Sequence, residues 1–68
     1  CQGGGTVVVE ITVNRNGDVT AATVKSATRD DYCMTTTATD AALQSRFNID
    51  PSAPEKQIGT ITYQFVAQ

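Results

Sequence analysis

Hydrophobic and polar residues alternate one for one near the start of the chain. From Thr6 to Asn14, Val7, Val9, Ile11 and Val13 share one face, and Val8, Glu10, Thr12 and Asn14 share the other. Period two in a β-branched stretch predicts a half-buried strand. Asn14-Arg15-Asn16-Gly17-Asp18 follows, and its Asn-Gly pair suits the positive φ angles that hairpin turns demand. Val19 to Ser26 is extended again, but strict alternation would set Val19 and Val24 on opposite faces. A bulge near Ala21-Ala22 brings Val19, Ala22 and Val24 to one side.

The period changes between Asp30 and Phe47. Met34, Ala38, Ala41, Ala42 and Ser45 recur at three- and four-residue spacing, which is one face of a helix. Small side chains on that face predict a close approach of helix to sheet, with Val9 and Ile11 under Ala38, Ala41 and Ala42. Asp30 or Asp31 can cap the helix, and Thr37-Ala38-Thr39-Asp40 is a capping-box-like string further in. Thr35, Thr36, Thr37 and Thr39 lower helix propensity in the first turns. Pro51 and Pro54 lie in the segment from Asn48 to Gln57, which ends the helix and carries the chain across the domain. Gly59 to Ala67 alternates once more, with Ile61, Tyr63 and Phe65 against Thr60, Thr62 and Gln64.

These elements read β-β-α-β over residues 1–68, with no repeat and no linker. A hairpin joins the first two strands, and the helical crossover returns the third strand parallel to the second. Placing it beside strand one makes every pairing antiparallel and sets the most apolar strand in the centre. The expected fold is α+β: a three-stranded antiparallel sheet of order 2-1-3, with one helix on one face.

Size and composition narrow the function. A domain of 68 residues buries only about 60% of its unfolded surface and needs a staple or a very good core. Val7-Val8-Val9 is the longest apolar run, far below the roughly 20 residues of a membrane-spanning helix. No basic segment followed by an apolar one marks a secretory signal. Five basic and seven acidic residues, net charge −2, disfavour a nucleic-acid surface.

Histidine is absent, which removes the commonest general base and the commonest metal ligand. Two cysteines alone cannot build a zinc site, and no serine–histidine or cysteine–histidine pair can form. Gly3-Gly4-Gly5 lacks the spacing of a phosphate loop. Asp30-Asp31 reads as a solvated helix start. The chain is therefore expected to have no catalytic residues, no cofactor and no metal. What it does offer is an edge. The third strand carries no inward charge and no proline from Gly59 to Gln68, so its outer backbone groups must be covered or used.

The blocks together resemble the TonB C-terminal domain family. Gly5-Thr6-Val7-Val8-Val9-Glu10-Ile11-Thr12-Val13 with Asn14-Arg15-Asn16-Gly17-Asp18-Val19 is similar to that family's opening hairpin. Ala38 through Ala41-Ala42 to Ser45-Arg46-Phe47-Asn48 resembles its helix, and Gly59-Thr60-Ile61-Thr62-Tyr63-Gln64-Phe65 its last strand. The resemblance implies a periplasmic module whose parent protein is anchored in the inner membrane of a Gram-negative bacterium. It further implies that the box peptide of a TonB-dependent outer-membrane transporter adds as a strand along Thr60, Ile61, Thr62, Tyr63, Gln64 and Phe65. The family's Tyr-Pro element ahead of the first strand, its membrane anchor and its proline-rich spacer are missing here, so the chain is expected to be a trimmed part of a longer protein.

An oxidising periplasm also makes a Cys1–Cys33 disulfide the favoured reading of the two cysteines, as in some TonB-like sequences. Two unpaired buried thiols and a lipid-bearing Cys1 are the alternatives. Tyr63 and Phe65 are expected to pack under the helix, and Phe47 to anchor the core. Arg15 and Arg29 are expected in solvent. Two other functional readings stand beside transport: a homodimer formed by self-pairing of the same edge, and a sensing or accessory domain on a peptidase-type membrane protein.

Overall fold

β-branched residues at the inward positions Val7, Val9, Ile11 and Val13 favour an extended backbone packed on both flanks, and that strand is the middle of the sheet. A computed structural model describes all of residues 1–68. The chain runs β1 (Gly5–Val13), β2 (Val19–Ala27), α1 (Tyr32–Leu43) and β3 (Gln57–Phe65). The sheet order is β2-β1-β3, with both pairings antiparallel. The expected fold class, strand order and helix placement are all found.

β1 and β3 pair without interruption from Gly5↔Phe65 to Val13↔Gln57. The β1–β2 register slips twice, leaving Thr20 and Lys25 as extra residues. Two bulges thus replace the single one expected near Ala21-Ala22. The reason is the spacing of the inward residues. Val19, Ala22, Val24 and Ala27 face Val13, Ile11, Val9 and Val7, and each three-residue step needs one extra residue to keep its side chain on the same face.

The hairpin tip is built on one side chain and one glycine. Asn14 Oδ1 accepts from the N–H groups of Asn16 and Asp18, each at 3.0 Å, an Asx arrangement that holds the turn. Gly17 has φ +86° and is buried, and a Cβ there would run into the Phe47 carbonyl. The Phe47 N–H donates to the Gly17 carbonyl at 2.9 Å, and the Asp50 N–H to the Arg15 carbonyl at 3.0 Å. An exposed Arg46–Asp18 ion pair at 2.8 Å joins them. The post-helix segment is stapled to the hairpin tip mainly through backbone.

That staple shortens the helix relative to the expected span of 30–47. α1 begins after Asp31, whose Oδ1 accepts from the Met34 N–H at 3.3 Å, and it closes at Gln44. Arg46 is already in a bridge with Asp18. The Thr35 and Thr39 hydroxyls donate to the carbonyls of Asp31 and Thr35, at 3.2 and 2.7 Å. This back-bonding accommodates threonines inside the helix. The Thr37-Ala38-Thr39-Asp40 string is mid-helix and caps nothing.

Met34, Ala38 and Ala42 form a single i, i+4 stripe, fully buried against Val7, Val9 and Ile11. Ala41 is exposed, a correction to its expected place over Val9 and Ile11. It lies about 60° round the helix from the middle of that stripe, and the narrow contact made by Met34, Ala38 and Ala42 does not cover it. Phe47 is also corrected. It is 47% exposed because its backbone, not its ring, fixes it to Gly17. Ile61, Tyr63 and Phe65 are half-buried and pack against the core from β3. A disulfide joins Cys1 to Cys33 with 5.7 Å between Cα atoms, so the two alternative readings of the cysteines fall. The Gln68 N–H donates to the Gln2 carbonyl at 3.0 Å, bringing the chain end beside the bridged chain start.

Candidate functional site

The edge of β3 is open, and the alternation of backbone direction identifies its free groups. In an antiparallel strand, the N–H and C=O of one residue point to the same side, and the next residue's point to the other. Thr6 faces β2, because its carbonyl accepts from the Thr28 N–H and its N–H donates to the Thr28 hydroxyl, both at 3.0 Å. Asn14 faces the same way, donating to the Asp18 carbonyl at 3.0 Å. The even residues of β1 therefore serve β2, and Val7, Val9 and Ile11 serve β3. Their partners Tyr63, Ile61 and Gly59 turn their backbone groups inward. Thr60, Thr62 and Gln64 turn theirs outward, and no loop or side chain of the chain bonds to them.

The six residues singled out in the sequence thus divide by role. Thr60, Thr62 and Gln64 present open main-chain groups, and their side chains lie exposed on the face away from the helix. Ile61, Tyr63 and Phe65 hold β3 to β1 and present half-buried side chains on the helix side.

The two edges of the sheet are unlike. β2 is interrupted by bulges at Thr20 and Lys25, and one of those residues is a lysine; bulges and lysines are both devices that discourage strand pairing. β3 has neither over its paired length. α1 lies over β2 and β1 and scarcely reaches β3, so the helix does not shield that side.

Where β3 begins, the open edge meets a groove of about 380 Å³. Ile11, Val13 and Ile61 line its apolar part, Phe47 flanks it from the post-helix segment, and Asp50 is its one charged residue. Gly59 borders it with nothing within 4 Å of where a Cβ would stand. The sequence pattern did not single out this groove. Its only sequence signal was the glycine interrupting the inward series of β3. No three His, Cys, Asp or Glu side chains converge to hold a metal ion, and no helix is long and apolar enough to cross a membrane.

Comparison with family models, curated proteins and solved structures finds no match to this chain.

Proposed function

We propose that this chain is a binding module that receives an extended segment of a partner protein as a fourth strand along β3. The observation that supports the reading is the contrast between edges: β3 offers an unbroken ladder with outward Thr60, Thr62 and Gln64, while β2 is bulged at Thr20 and Lys25. Main-chain bonds would supply the affinity and alternate side chains the selectivity. Joined to the likeness of its blocks to TonB C-terminal domains, the reading becomes a non-enzymatic periplasmic module. It engages the N-terminal box segment of an outer-membrane transporter and couples inner-membrane energy to uptake. A disulfide between Cys1 and Cys33 is compatible with that oxidising compartment.

Titration calorimetry with transporter box peptides tests it. Thr62→Pro deletes an outward N–H and leaves the β1 ladder intact, so the domain folds and peptide binding is lost. Tyr63→Pro deletes an inward N–H opposite Val7 and unfolds the domain. Unchanged peptide affinity in a folded Thr62→Pro variant refutes the site.

A further inference from the structure

Gly59 leaves one gap in the helix-side row of β3. Its β1 partner is Ile11, which is only 3% exposed and points to the helix side. Side chains of paired residues share a face, so position 59 would project to that side as well, but it carries no side chain. The helix does not fill the gap, since α1 ends at Leu43 and lies over the other two strands. The result is the groove, floored by Ile11, flanked by Val13 and Ile61, and bordered by Phe47.

A strand added to β3 runs about 4.8 Å away and alternates its side chains in the same way. Whatever its direction, one of its residues comes beside Gly59 on the helix side and projects toward this groove. The groove is continuous with the edge because Gly59 and Thr60 belong to both. Its rim adds a charge condition. Asp50 Oδ1 accepts from the Ser52 N–H and hydroxyl, at 3.1 and 2.7 Å, and no basic side chain pairs with the carboxylate. An acidic residue on the incoming strand would meet it unfavourably.

We propose that the groove beside Gly59 is the specificity pocket of the strand-addition site. It selects a partner segment with a large aliphatic or aromatic residue at the position facing Gly59 and disfavours an acidic one there. This rests on the strand-addition reading and adds a side-chain requirement to it.

The probe is a set of synthetic peptides, matched to the nine residues of β3, with threonine and valine alternating and both positions that can face Gly59, the third and the seventh, set to Leu, Phe, Ala or Asp. Binding is read by fluorescence anisotropy. Leu loses three buried carbons on replacement by Ala, so with partial burial the Leu and Phe peptides bind at least about tenfold more tightly than the Ala peptide. The Asp peptide binds more weakly still.

Gly59→Val fills the groove at its mouth. Its Cβ meets nothing within 4 Å and valine suits a strand better than glycine, so its melting midpoint equals or exceeds that of the parent. The variant erases the preference for Leu over Ala. Thr62→Pro removes binding of all four peptides. Equal binding of the Leu and Ala peptides, or a preference that survives Gly59→Val, overturns the pocket and leaves strand addition standing. Failure of every peptide to bind the parent chain overturns both. A dimer of the free chain that Gly59→Val abolishes assigns the groove to a second copy and also overturns the proposal.

Discussion

Replacing both members of the Cys1–Cys33 bridge with serine isolates the contribution of a cross-link from that of packing. Both cysteines are exposed, so the double substitution opens no core cavity and removes little buried surface. The loss must come from the unfolded state, which regains the freedom of a loop whose ends are 32 residues apart. In the chain-entropy account that is about 3.7 kcal/mol at 25 °C. A domain of this length has a total stability of only about 3–10 kcal/mol, so the bridge accounts for a large part of it. The thermal midpoint falls by about 15–30 °C, at about 4–8 °C per kcal/mol for so small a domain.

Urea melts of the parent and the Cys1→Ser/Cys33→Ser variant, followed by circular dichroism, give the difference directly. The slope of the transition steepens in the variant, because an uncrosslinked chain exposes more surface on unfolding. A loss below about 1 kcal/mol with an unchanged slope would refute the reasoning, since it would mean that the unfolded chain gains no freedom when the bridge is gone.

Further substitutions test the remaining joints. Ala42→Leu forces three extra carbons into the fully buried contact of α1 with β1 and costs about 1–3 kcal/mol by thermal melting; an unchanged midpoint would contradict the helix face. Gly17→Ala must both hold a positive φ and displace the Phe47 carbonyl, so it costs more than the about 1–2 kcal/mol of the left-handed backbone alone. By contrast, Asp18→Asn, which breaks only the exposed ion pair to Arg46, costs under about 1 kcal/mol. Asp31→Ala removes the acceptor for the Met34 N–H and costs about 1 kcal/mol in urea melts, a loss that Asp30→Ala does not share.

The regular parts of the fold were legible because each rests on a period. Val7, Val9, Ile11 and Val13 can share a face only in a strand, and the mixed three- and four-residue spacing of Met34, Ala38, Ala41 and Ala42 fits a helix face and not a strand. Strand order followed from the apolarity of β1 and the length of the crossover. Features that depend on tertiary contacts were less legible. The helix stops at Leu43 and not Phe47 because Arg46 and Phe47 bond to Asp18 and Gly17, a meeting of segments distant in sequence. Composition marks Phe47 as a core residue, and nothing local announces that its backbone takes precedence over its ring. The candidate edge could be read as a run lacking charge and proline. Which of its residues face outward could not, because that parity is set by the hydrogen bonds of Thr6 and Asn14 on the opposite flank of β1.

The difference between the two edges follows from the spacing of inward residues. In β2 those residues stand at Val19, Ala22, Val24 and Ala27, and only bulges can keep them on one face. The bulges that serve the core also break the regular outer ladder. In β3 the inward positions Gln57, Gly59, Ile61, Tyr63 and Phe65 are two apart throughout, so no bulge is needed and the outer ladder stays regular. Core packing thus explains why β3 is straight, but not why it is undefended. Thr60, Thr62 and Gln64 are exposed on the face away from the helix, where a lysine could replace any of them without touching Val7, Val9 or Ile11. Gly59 makes the same point from the other face. A Cβ there would meet nothing within 4 Å and a β-branched residue would favour the strand, yet the position is left without a side chain beside an apolar groove. A domain shaped by stability alone has reason to blunt the first feature and fill the second. Both lie on β3, at the side that α1 leaves uncovered.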